Sequence, residues 1–236
     1  MIERRTFNSL GGARFGWLDA KHHFSFGHYH DPKRVHWGPL RVWNDDTIAA
    51  GTGFDPHPHK DMEIITYVRK GAITHQDFLG NEGRTEAGDV QVMSAGTGIV
   101  HAEYNREPGE TQIFQIWIIP NKAGVAPRWE ARQFPKGEAA GELVVLASGR
   151  IKHADTDALM IHQDAALLGA TLPAGKTVTY EVGDRLAYLV PARGKVRVNG
   201  IELDARDGAA VRDEPTLTIE ALEEAEILLA DLPKAA

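Results

Sequence analysis

Metal-ligating side chains fall into two short, matched pairs. The stretch FDPHPHKDMEIITYVRKG, residues 54–71, carries His57 and His59 one residue apart, each preceded by a proline, and then Glu63. Further along, SAGTGIVHAEYN carries His101, Glu103 and Asn105 at the same alternate spacing. In an extended strand alternate side chains share one face. Each pair therefore presents its groups together, and two such strands can bring three imidazoles and a carboxylate to one point. Pro56 and Pro58 favour extended backbone and have no N–H to give a ladder, which predicts a sheet edge for this segment. Nitrogen and oxygen donors without sulfur suit iron(II), manganese, nickel, copper(II) or zinc. They do not suit a closed structural zinc finger or an all-oxygen calcium site.

The whole composition narrows the chemistry. The 236 residues contain no cysteine, so disulfides, thiolate metal sites and cysteine nucleophiles are excluded. A net charge of −7 gives no electrostatic case for nucleic acid or an anionic membrane as partner. The opening residues MIERRTFNSLGG have no apolar run of the secretory kind, and no stretch is long and apolar enough to span a bilayer. A cytoplasmic location is the expectation.

The elements that must hold these residues read as strands. Short runs rich in Val, Ile, Leu and aromatics recur, among them MEIITYVRKG, DVQVMSAGTG, IFQIWIIP, RLAYLVPARG and AEILLADLP. Gly, Pro, Asn and Asp separate them, which predicts an all-β sandwich or barrel rather than βαβ units. One segment, DTDALMIHQDAALLGA, reads as a short helix or mixed element. Three prolines and three glycines between Pro120 and Glu142 separate two strand-rich halves of similar rhythm. The expectation is two related β-barrel domains, residues 1–135 with the histidine pairs and residues 136–236 without them. His162, in the second half, has no neighbouring ligand partner in sequence and is expected to hold no metal.

Beyond single residues, whole motifs are familiar. GTGFDPHPHKDME is similar to the first cupin motif, and GDVQVMSAGTGIVHAEYN resembles the second. With GWLDAKHHFSFGHYHDP and NDDTIAAGTGF they resemble the pirin family, specifically bacterial pirin-like quercetin 2,3-dioxygenases, over nearly the whole chain. The resemblance implies a bicupin of two jelly-roll β-barrels. It implies one divalent transition metal, iron(II) foremost with nickel, manganese, cobalt, copper or zinc as alternatives, on His57, His59, His101 and Glu103. It places Glu63, a ligand in other cupins, beside a ligating imidazole instead. The implied activity is cleavage of flavonols such as quercetin by O2 with release of carbon monoxide, with Glu103 as candidate base. A non-catalytic metal- or redox-sensing protein with a protein partner is the alternative.

Other residues carry competing readings. The histidine-rich HHFSFGHYHDPKRVHWG is read mainly as a loop or strand over the barrel mouth, with Phe24 and Phe26 in core or pocket wall and a second metal site as the alternative. His75 is read as a hydrogen-bonded structural histidine. Gln115, polar among large apolar neighbours, either lines the metal pocket or is simply hydrogen-bonded inside the barrel. Arg41, Arg128 and Arg132 are read as surface or interdomain charges.

Overall fold

The computed structural model describes residues 1–134 and 141–235, so the expected boundary between residues 135 and 136 lies outside the described residues. The chain folds into four β-sheets, a seven-stranded and a four-stranded one in each half. In the first half the large sheet runs in the order Arg128–Arg132, Val90–Ser94, Glu63–Lys70, Thr111–Ile118, Leu40–Ile48, Leu18–His22 and Gly11–Arg14. The small sheet facing it runs Gly53–His59, Ile99–Tyr104, Ala72–Asp77 and Glu82–Glu86. As the prolines require, Gly53–His59 is an edge strand. Among the described residues no helix is long and apolar enough to cross a membrane.

One expectation is corrected. The DTDALMIHQDAALLGA segment forms no helix; it contains the strand Leu159–Met160 and most of Ala166–Leu172. Six of the seven residues of Ala166–Leu172 are buried, because the large sheet of the second half is covered on both faces. Such a strand loses its polar alternation and reads like a buried helix. Ile2–Arg5 pairs antiparallel with Gly208–Val211 and so belongs to the second half's sheet. Arg5 is 1 % exposed there and lies over the rings of Phe24 and Tyr188, at 5.1 and 5.6 Å from their centroids. A short, charged segment such as IERR has no periodicity to announce this placement.

The two large sheets pack face to face and share one core. Phe24, Trp43, Phe114, Ile116 and Ile118 from the first half meet Tyr188, Leu228 and Leu232 from the second. The Trp43 and Tyr188 rings are 5.6 Å apart. Polar clamps cross the same seam. Buried Asp45 accepts from Arg69 of its own half and from Arg206 Nε at 2.5 Å, and the Tyr67 hydroxyl donates to Glu226. Arg128 and Arg132 also cross it, donating to the carbonyls of Met160 and Asp157, whereas Arg41 pins the carbonyls of Ser25 and Val35 within the first half.

Inside the halves the same architecture is filled differently. In the second half a row across the large sheet runs Ala209, Leu189, Leu229, Leu168 and Val145, all apolar. In the first half a row across five strands runs Gln91, Thr66, Gln115, Asn44 and His22, all polar.

Because the shared core joins the halves, the intact chain should unfold in a single calorimetric transition, and residues 141–236 expressed alone should show no cooperative melt. Two separate endotherms in the whole protein would mean that the halves are independent folding units.

Candidate metal centre

The histidine pairs meet across two neighbouring strands. His57 on Gly53–His59 lies directly opposite His101 on Ile99–Tyr104, and His59 lies opposite Ile99. The three rings stand 4.5, 4.9 and 5.1 Å apart between centroids, and one nitrogen from each lies within 4.8 Å of the other two. Past His101 the register against Gly53–His59 shifts at a bulge, so that Glu103 faces Phe54. On its other side Glu103 lies opposite His75. His75, His101 and Glu103 form a second group whose ligand atoms all lie within 4.8 Å, and His101 belongs to both groups.

The ring nitrogens are prepared to be lone-pair donors. His57 Nδ1 donates to the Asp55 carbonyl at 2.6 Å, which leaves Nε2 unprotonated in the neutral ring. Burial, with the neighbouring His57, lowers His59 to about 4. Burial and then His57, His59 and His75 lower His101 to about 2. Buried His101 Nε2 has no hydrogen-bond partner among the described residues. An orphaned buried nitrogen beside two further imidazoles fits a cation and fits nothing else in the sequence of this segment.

Glu103 is held from the opposite sheet. Its Oε1 accepts from Gln91 Nε2 at 2.6 Å and from Thr66 Oγ1 at 3.3 Å, and its Oε2 accepts from Gln115 Nε2 at 2.8 Å. The two amides are themselves oriented. Thr85 donates to Gln91 Oε1 at 3.0 Å and Trp117 Nε1 donates to Gln115 Oε1 at 3.1 Å, turning both NH2 groups toward the carboxylate. Burial raises the Glu103 carboxyl to about 7 even though these three donors act to lower it. Gln115 is hydrogen-bonded inside the barrel and, with Phe26, lines an adjoining cavity.

Several residues take places other than those expected. Glu63 does not serve a ligating imidazole. Its described partners are Ser94 Oγ at 2.8 Å and His162 Nδ1 at 3.2 Å, so it bridges the halves. His162 therefore has a partner after all, in the first half. His75 is hydrogen-bonded and packed: its Nε2 bonds Asp77 at 2.8 Å, its Nδ1 lies 3.4 Å from His101 Nδ1, and it stacks on Trp129 at 4.7 Å. The other N-terminal histidines build no second site among the described residues. His22 bonds Asn44 and His23 bonds the Tyr188 hydroxyl, each at 2.8 Å. Phe24 is core and Phe26 is pocket wall. Gln91, Thr66 and Asp77 were missed. The alternation of Gln91 with Val90 and Val92 was the available signal for the first.

Comparison with known proteins shows the family. The Pirin family model matches residues 3–118, and a model described as the quercetinase C-terminal cupin domain matches residues 145–232. A pirin-like protein of Caulobacter vibrioides is 64 % identical, covering 98 % of this chain and 99 % of its own. The chain belongs to the pirin family. Another relative of this pirin, the quercetin 2,3-dioxygenase of Escherichia coli K12, is 43 % identical over 99 % of both chains. The crystal structure of the bacterial pirin YhhW of Escherichia coli in complex with nickel(II) superposes with a TM-score of 0.91, at 41 % identity and 99 % coverage of both chains. Nickel in that relative and the histidine–glutamate cluster here both point to a divalent metal.

Glu63→Gln should lower stability by about 1–3 kcal/mol, the range for disturbing a buried charged hydrogen-bonded group, without changing metal content. Urea unfolding beside elemental analysis checks this; an emptied site with unchanged stability would move Glu63 into the ligand set.

Proposed function

We propose that this pirin is a metal-dependent dioxygenase that cleaves flavonols such as quercetin with release of carbon monoxide, its metal held by His57, His59, His101 and Glu103. The observation that carries the reading is the convergence of His57, His59 and His101, with the buried His101 Nε2 unpartnered among the described residues beside a buried carboxylate. On a six-coordinate ion such as iron(II) or nickel(II), four protein ligands leave two positions open to substrate and O2. Iron(II) is the proposed native metal; nickel, manganese, cobalt, copper and zinc accept the same donors. When bound, the metal supplies a Lewis-acidic centre that brings a substrate oxygen and O2 together.

The chain's own residues do the rest. Glu103, the carboxylate beside the histidine cluster, is the candidate base for the proton of the flavonol 3-hydroxyl. Gln91, Thr66 and Gln115 hold its two oxygens in one orientation throughout. Asp77 and His75 brace His101 from behind. Trp117 stands edge-on to His59 at 5.0 Å and Phe26 edge-on to Trp117 at 5.5 Å, a collar that shields the reacting end from water.

One observation favours the alternative of a metal- or redox-sensing binding protein. Phe78 and Leu79 are 78 % and 54 % exposed at a turn beside His59, Ile99 and Val100, an apolar surface close to the metal cluster.

His57→Ala, His101→Ala and Glu103→Ala should each lose at least about tenfold in metal affinity and lose carbon monoxide release from quercetin together with it. Elemental analysis paired with product and gas detection reads both. A fully metal-loaded wild type that leaves quercetin intact under O2 refutes the dioxygenase and favours the binding protein.

A further inference from the structure

Next to the metal cluster lies a cavity of about 290 Å³, near the small end of ligand pockets, which start at about 300 Å³. Its walls are mostly apolar, with Phe15, Leu18, Ala20, Phe26, Tyr29 and Phe54 among them. It shares walls with the metal cluster. Gln115 lines it and donates to Glu103; Phe54 lines it and packs against His57 at 6.4 Å; Phe26 reaches His59 through Trp117.

One residue of this cavity is out of keeping with its surroundings. Asp46 lines it and is 2 % exposed. Its cross-strand neighbours are Ala20 and Ile113, and Ile113 in turn lies opposite Val68, so the acid interrupts an apolar row. Asp46 Oδ1 has no hydrogen-bond partner among the described residues. The arginines are engaged elsewhere: Arg69 and Arg206 are taken by Asp45, whose side chain is on the other face of the strand. A buried acid without a partner costs stability and is retained where it has something to bind.

We propose that Asp46 is a specificity-determining residue, hydrogen-bonding a ring hydroxyl of a polyhydroxylated aromatic ligand seated in this cavity; the proposal rests on the flavonol reading above, the ligand's reacting end lying at the histidine cluster. Burial, then Asp45 and Glu103, push the Asp46 carboxyl well above its usual range, the direction that favours the protonated form, which can donate as well as accept. A hydroxyl is the complementary group. A ligand without hydroxyls would leave the acid unpaired. Sites built around a buried polar group discriminate strongly against analogues that lack the matching hydroxyl.

The test uses metal-loaded full-length protein without oxygen, so that binding is measured and not turnover. Calorimetric titrations compare quercetin with 3-hydroxyflavone, which has the same reacting ring but no other hydroxyls. Asp46→Leu should weaken quercetin about tenfold or more, the loss expected when a buried hydrogen-bond partner is removed, while leaving 3-hydroxyflavone unchanged. Asp46→Asn, which keeps a donor and an acceptor, should stay within a few-fold of wild type for quercetin. Ala13→Trp, which fills the cavity from its half-buried edge strand without disturbing the core, should weaken quercetin as well. Thermal melts show whether each variant is folded. Equal loss of both compounds in Asp46→Leu, or loss of neither, overturns the role of Asp46 while wild-type turnover of quercetin keeps the dioxygenase intact. A wild type that binds neither compound overturns both.

Discussion

Everything distinctive about this pirin depends on one buried carboxylate being held by three neutral donors. Glu103 projects from the small sheet of the first half onto the polar row of the large sheet and takes hydrogen bonds from Gln91, Thr66 and Gln115. Each of those strands must be in register for the row to exist, because a slip by one residue would turn every polar side chain to the opposite face. The row is therefore a device for register as well as for chemistry. It puts a carboxylate beside His101 inside a barrel where no cation of the chain competes for it.

The two halves show what that device costs. The second half has the same pair of sheets, but the corresponding row of its large sheet, Ala209, Leu189, Leu229, Leu168 and Val145, is apolar and gains stability from simple burial. The first half gives up part of its interior to Asn44, Thr66, Gln91, Glu103 and Gln115, and its apolar contacts divide into two smaller clusters at the ends of the barrel. The common core between the large sheets offsets the loss. Trp43, Phe114 and Tyr188 pack there, and Asp45, Glu63 and Tyr67 add polar ties to Arg206, His162 and Glu226. The second half backs the first through this core, so the strands carrying the polar row are supported on the face away from the site.

Local chemistry completes the arrangement. Prolines keep Gly53–His59 at a sheet edge, which leaves His57 and His59 accessible from one side while His101 is buried behind them. Burial keeps His59 and His101 neutral, so their lone pairs face no competition from protons near neutral pH. The Asp77–His75 pair behind His101 limits its rotation. Asp46, one turn of side-chain alternation beyond Asn44 on the same strand, extends the polar character of the site into the neighbouring cavity.

The sequence by itself determined the parts that follow from short-range rules. Alternation at residues 57 and 59 and at residues 101 and 103 placed each pair on one face, prolines placed the first pair at an edge, and the absence of cysteine limited the ligands to nitrogen and oxygen. The all-β class and two similar halves were legible because turn residues recur at strand-length intervals. Tertiary structure alone decided which strands are neighbours. Gln91, Thr66 and Gln115 are scattered along the chain and become one row only through sheet order. Glu63 and His162 meet across the halves, Ile2–Arg5 completes a distant sheet, and Ala166–Leu172 escapes recognition as a strand because both of its faces are covered. Alternation is a property of a single strand and is written in its residues, whereas pairing depends on the free energy of burying whole faces together, which no local stretch contains.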